Sequence, residues 1–139
     1  MPDPDAVVAA ARAWIGTPFR HQASLRGVGC DCLGLVRGVW REVIGPEPEG
    51  LPAYPPDWAA TGADLLREAL ARHCPPATLV EPGTIVLFRW RMGAPAGHCA
   101  IATGPDTIVH AHAGAAVAEV SLDVWRRRVA GAFRFPFHD

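Results

Sequence analysis

The chain has 139 residues, half of them hydrophobic, and a formal net charge of −1. That length suits one domain with a sizeable core, spanning residues 1–139. The near-neutral charge argues against the basic footprint of a nucleic-acid binder. All 13 basic residues are arginine, as GC-rich coding would produce, and the tight run Arg126-Arg127-Arg128 reads as a solvated turn.

Taken in chain order, Asp3 or Asp5 is placed to cap a helix running to about Ile15, with Val7, Val8, Ala11, Trp14 and Ile15 on one face. This apolar run lacks a basic leader and is broken by Arg12, so it reads as neither a secretory signal nor a membrane span. The expectation is a chain made in the cytoplasm, not inserted in a membrane, and carried elsewhere by something else if it acts elsewhere. Four cysteines in such a chain suit free, catalytic or metal-bound roles better than a disulfide framework.

Gly16-Thr17-Pro18-Phe19 breaks the first helix. A second is predicted from Cys32 to about Val43, where Leu35, Val36, Val39, Trp40 and Val43 repeat at helical spacing and Gly45-Pro46 stops the run. Pro46 to Trp58 is too rich in proline for helix or central strand. It reads as an ordered loop anchored by Tyr54 and Trp58, which serve as loop anchors or as a cleft wall. Gly62 to His73 is a third amphipathic helix. Strands then follow at 84–89, 98–103, 107–112, 117–121 and 130–135, with a short turn or helix at 122–127. Helices first and a strand meander afterwards is an α+β pattern.

Cys32 is the residue best placed for chemistry. At the first turn of a helix, unpaired N–H groups and the helix dipole favour a thiolate, and Asp31 is a natural cap. Cys30, two residues earlier, lacks that placement. The alternative for both is a small buried side chain, the usual fate of free cysteine. A nucleophilic cysteine needs a base and an orienting partner. His98 opens one strand and His110 and His112 lie two apart on the next, so a hairpin around Gly104-Pro105-Asp106 gathers three imidazoles. A zinc site is the competing reading of Cys30, Cys32, His98, Cys99, His110 and His112. It is weakened because Cys-x-Cys is not a familiar zinc spacing and because Cys99 faces away from His98 on a strand. Cys74 and Cys99 read as core or helix-end residues; His21, His73 and His138 have no partner identifiable from sequence.

Asp31-Cys32-Leu33-Gly34-Leu35-Val36 resembles the Asp-Cys-Ser-Gly-Leu-Val signature of NlpC/P60 cell-wall peptidases. Gly16-Thr-Pro-Phe19, Pro82-Gly-Thr-Ile-Val-Leu-Phe88, Gly97-His98-Cys-Ala-Ile-Ala-Thr-Gly104 and Ile108-Val-His-Ala111 are similar to further elements of that family, in the same order. The resemblance implies a papain-like fold, no cofactor or metal, and hydrolysis of peptide bonds in the peptidoglycan stem, typically between D-γ-glutamate and diaminopimelate. It makes Cys32 the nucleophile, His98 the base and then acid, and His110 the residue that orients His98. Asp31, Phe19, His21, Gln22 and His112 are the candidates for substrate and oxyanion contacts. An N-acetylmuramoyl-L-alanine amidase on the same residues, or a structural tail-hub module with a vestigial site, are the rival functions.

The wording GTPFRHQAS…GVGCDCLGLVRGVWRE is similar to a phage-type subgroup that includes gene transfer agents. Its implied setting is a virion-like tail component, partnered by hub or baseplate proteins, that opens the wall for DNA delivery. The chain departs from the family at Leu33 in place of serine, Phe19 in place of tyrosine and Gln22-Ala23 in place of a glycine pair.

Overall fold

The computed structural model describes residues 3–49, 53–58 and 62–136; His138 and parts of the proline-rich loop lie outside them. Helix α1, Pro4–Arg12, is capped by Asp3, whose Oδ1 accepts the Ala6 N–H at 2.8 Å. It ends three residues before the predicted Ile15. There the chain tightens into turns in which Trp14 and Ile15 donate to carbonyls three residues back, and the Gly16 N–H is drawn away to the Val117 carbonyl at 2.8 Å. Ile15 consequently leaves the buried face and is 47% exposed, while Val7, Ala11 and Trp14 stay in the core.

A small hairpin that the sequence pattern does not signal, β1 (Ser24–Leu25) with β2 (Gly29–Cys30), leads into α2. Helix α2 runs Cys32–Val43, matching its predicted bounds, because a strong cap begins it and Gly45 follows it. Helix α3, Leu65–Ala71, is shorter than the 62–73 run. Asp64 sits at its N-cap but does not cap it. Its carboxylate instead accepts from Arg67 at 2.9 Å and from the Ala96 N–H at 3.1 Å, tying α3 to the connection before residue 98.

The sheet contains β3 (Thr84–Phe88), β4 (His98–Ala102), β5 (Thr107–His110), β6 (Ala118–Ser121) and β7 (Val129–Arg134), in the order β6-β5-β4-β3-β7 with antiparallel pairs throughout. The expected meander holds from β3 to β6. The chain then passes through a 3-10 helix, Asp123–Arg128, and β7 returns to the opposite edge beside β3. Alternation sends Ile85, Leu87, Cys99, Ile101 and Val109 into the core shared with the helices. Val86, Phe88, Ala100, Ala102 and Ile108 form a second cluster under Leu122, Trp125 and Val129. With both faces covered, β3 and β4 are buried at every position. Among the described residues, no helix is long and apolar enough to cross a membrane.

Candidate active site

The helical layer and the sheet meet at Cys32 and His98. Cys32 is the first residue of α2 and only 6% exposed. Asp31 fixes that helix end. Its Oδ1 accepts the Gly34 N–H at 2.7 Å, and its Oδ2 accepts the Gln22 N–H at 2.7 Å and the Tyr54 hydroxyl. Both carboxylate oxygens are therefore committed to holding backbone and loop, which makes Asp31 a positioning residue for the Cys32 end of α2. The Cys32 N–H lies at a helix start, where the geometry supplies no intrahelical acceptor.

His98 is the first residue of β4, His110 the last of β5, and both are buried. His98 Nε2 lies 2.8 Å from His110 Nδ1. That contact leaves His98 Nδ1 as the ring nitrogen available to Cys32. Burial, followed by the charge of His98 and His112, pushes His110 down to about 3. A neutral His110 offers a lone pair to an N–H on His98, the polarity needed to steady an imidazolium. His112 lies past the end of β5 rather than on it, yet its ring still stacks on His110 at 5.7 Å and 9° and stands 5.6 Å from His98. The three imidazoles thus gather as the hairpin pattern predicts.

Cys32 is drawn below the ordinary thiol range. Hydrogen bonding from Cys99 acts first, followed after an opposing burial effect by hydrogen bonding from and charge on His98. Cys99 is raised well above that range by the same contact. Cys99 faces away from His98 on β4, as alternation requires, and that face is the one covered by α2. Its neighbour role therefore depends on which side the helices pack, which the sequence pattern does not specify. Cys30 is fully buried, and burial pushes it up to about 12. Its backbone, bonded to Pro18 and Arg20, helps shape the approach to α2.

A cleft of about 140 Å³ opens over Cys32 and His98. Phe19, His21, Asp31 and His112 line it, as does Trp58 from the proline-rich loop. Gln22, a candidate substrate contact, is occupied with the loop instead. Its Oε1 accepts the Tyr54 N–H at 3.3 Å while its backbone adopts φ 64°. His21 Nε2 meets the Tyr54 carbonyl at 2.9 Å. Tyr54 stacks on Trp58 at 4.2 Å, so the loop is clipped to the 19–23 segment and supports one cleft wall. The cleft is also lined by Trp90, which is absent from the residues that the sequence pattern singles out. The one signal for it is position: β3 and β4 pair Phe88 with His98, so Trp90 lies two residues past the partner of His98. Among the described residues, no group of three or more His, Cys, Asp or Glu side chains is arranged to hold a metal ion.

The neutral His110 carries a consequence for stability. Its folded pKa of about 3 lies below the unfolded value of about 6.5. Between those values the unfolded chain takes up a proton that the folded chain does not, so stability falls as pH drops from 6.5 towards 3, by at most about 1.4 kcal/mol per pH unit per group. His112 is lowered in the same direction, chiefly by burial. Thermal melts should therefore lose more Tm between pH 7 and pH 4 in the native chain than in His110→Asn.

The sequence matches no family model and no curated protein. The structure is similar to the NlpC/p60 domain of peptidoglycan hydrolase SagA, with a TM-score of 0.68 and 22% identity over 96% of this chain and 99% of that one. It is also similar to an NlpC/P60 family protein from Bacillus cereus (TM-score 0.70, 19% identity, 96% of this chain and 40% of that chain). NlpC2 from Trichomonas vaginalis gives a TM-score of 0.72 at 17% identity, over 99% of this chain and 48% of that chain. The chain spans less than half the length of these last two. Its helices packed on an antiparallel sheet, with Cys32 and His98 at the junction, give it the papain-like fold of NlpC/P60 domains.

Proposed function

We propose that this chain is a cysteine peptidase of the NlpC/P60 type that hydrolyses stem-peptide bonds of peptidoglycan, most specifically the D-γ-glutamyl–diaminopimelate bond. The observation that carries the reading is the alignment of Cys32, His98 and His110: a helix-end sulfur lowered in pKa, an imidazole with one ring nitrogen available to that sulfur, and a neutral partner on its other nitrogen. The fold shared with a peptidoglycan hydrolase domain adds support.

In the proposed reaction His98 takes the Cys32 proton and the thiolate attacks the amide carbonyl. The Cys32 N–H stabilises the oxyanion that develops, aided by the positive end of α2. His98 then gives its proton to the departing amine, leaving an acyl-enzyme. Water, deprotonated by His98, attacks the thioester and releases the carboxylate product. In both half-reactions His110 accepts the N–H of the His98 imidazolium and holds the ring in place.

The likeness of the chain to phage-type sequences supports a setting in a tail-like particle that brings the enzyme to the wall. One experiment addresses bond and setting together. Purified sacculi are digested with the chain and, separately, with purified particles, and the fragments are identified by mass spectrometry. The expected products of both are stem peptides ending in a free D-glutamate γ-carboxyl, with a new diaminopimelate amine on the complementary fragment. Release of intact stems from muramic acid would instead identify an amidase. No release from sacculi by the freshly reduced chain would overturn the peptidase reading.

A further inference from the structure

The Trp90 side of the cleft carries side chains that the Cys32–His98–His110 chemistry does not use. Trp90 lines the cleft beside Cys32 and His98 and is 39% exposed. Its indole is fixed in place: it stacks on His98 at 5.8 Å and 27° and packs against Trp125 at 5.7 Å. Gly97 makes the seat. A β-carbon there would lie 2.6 Å from Trp90 Nε1 and 2.9 Å from Cδ1, so a side chain at 97 would force the indole off the segment just ahead of His98.

The charged side chains next to this indole in the chain and across the 89–128 contact are arginines, while Asp31 and Asp57 also line the cleft. The Arg128 guanidinium carbon lies 6.0 Å from the Trp90 ring centre, within cation–π range. The Arg89 N–H donates to the Arg128 carbonyl at 2.8 Å, which keeps the segments 89–91 and 127–128 side by side. Among the described residues, Arg89, Arg91, Arg127 and Arg128 form no ion pair. Arg12, Arg26, Arg37, Arg41, Arg67 and Arg72 are matched to carboxylates, while Arg20 and Arg134, elsewhere in the chain, likewise form no ion pair among the described residues. Arg126 is likewise held by Asp106 and Asp123, so the tri-arginine run is divided between a structural member and unpaired ones. Arg89 keeps its Nε buried with no partner. Unpaired guanidinium groups beside an exposed indole suit a ligand with a carboxylate next to an apolar or amide portion. Guanidinium matches a carboxylate in two parallel hydrogen bonds, and the ring covers the rest.

We propose that Trp90 and Arg128 form a substrate subsite that selects peptides bearing a free carboxylate beside the scissile amide, with Arg89, Arg91 and Arg127 supplying the surrounding positive field. The identity of the peptide rests on the peptidoglycan reading; the preference for negative charge rests on these residues alone.

The test compares two synthetic stem peptides, identical except that one carries a carboxylate where the other carries a carboxamide. The native chain should cleave the acid peptide with a kcat/KM roughly tenfold above that of the amide, the scale of one charge-assisted hydrogen bond. Arg128→Gln should bring that ratio to about one by raising KM for the acid peptide, and Arg128→Lys should restore part of it. Trp90→Leu should raise KM for both peptides. A native ratio near one, or a ratio preserved in Arg128→Gln, overturns the subsite. If the native chain cleaves neither peptide, the peptidase reading fails and the subsite is read from calorimetric binding to Cys32→Ala. Preference for the acid peptide there, lost on adding Arg128→Gln, supports the subsite; equal or absent binding of the two peptides overturns it.

Discussion

Cys32→Ala is expected to reduce stem-peptide hydrolysis by at least about a thousandfold, while Cys30→Ser keeps most of the activity. The two thiols stand two residues apart but in opposite environments. Cys32 opens α2, lines the cleft and is lowered by hydrogen bonding from Cys99 and by His98. Cys30 is sealed in the core, and burial pushes it up to about 12, as it does Cys74. Cys99 is also raised well above the ordinary range. Of the four thiols, only Cys32 therefore presents a thiolate near neutral pH. Iodoacetamide at pH 7 should place one adduct, on Cys32, with a rate that inflects below the ordinary thiol value of about 8.5. An unchanged melting temperature in Cys32→Ala would separate lost chemistry from lost fold. Inactivity of a folded Cys30→Ser, or first labelling at Cys30, would move the nucleophile to the other thiol.

Gly34→Ala should be the costliest small substitution for stability, at about 3 kcal/mol, the upper range of overpacking effects. Helix propensity favours the change by about 1 kcal/mol, since alanine is the better helix former. Contact decides the opposite way. A β-carbon at residue 34 would lie 1.9 Å from the Ala23 carbonyl oxygen and 3.0 Å from Asp31 Oδ1. The first neighbour is backbone and cannot swing aside. That same carbonyl accepts the Asp31 N–H at 3.3 Å, and Ser24 Oγ donates to the Gly34 carbonyl at 2.6 Å. Making room would loosen the hairpin, the Asp31 cap and the seat of Cys32 together, so activity should fall with the urea midpoint. Gly93→Ala is the comparison: its φ of 77° strains alanine, but no atom lies within 4 Å, so about 1 kcal/mol is expected. A Gly34→Ala cost no larger than this would defeat the close-approach account.

What can be read from sequence is local in range. Helix α2 carries both its ends in its own residues, with Asp31 before it and Gly45 after it. The meeting of His98 with His110 follows from one hairpin and the twelve-residue step across it. Strand alternation likewise turns Cys99 away from His98. What escapes depends on distant partners. The return of β7 to the edge beside β3 is a matter of strand order, which no local pattern records. Helix α1 ends early because Gly16 bonds to Val117, near the other end of the chain. The clip of Tyr54 onto Asp31 and Gln22 joins a proline-rich loop to a helix cap, and neither stretch names the other. Trp90 is inconspicuous because a tryptophan after a buried strand looks like core until the hairpin register places it over His98.

The strand order has one more implication. His98 stands on β4, in the middle of the sheet and bonded on both sides, whereas Cys32 belongs to the helical layer. The proposed reactive pair is thus a seam between two halves, present only while they are docked. Fraying of β6 at the sheet edge leaves His98 in place, but a small slip of α2 across the sheet parts sulfur from imidazole with every strand intact. On the proposed chemistry, catalytic rate is accordingly a gauge of layer alignment, able to report a displacement that secondary-structure spectroscopy would miss.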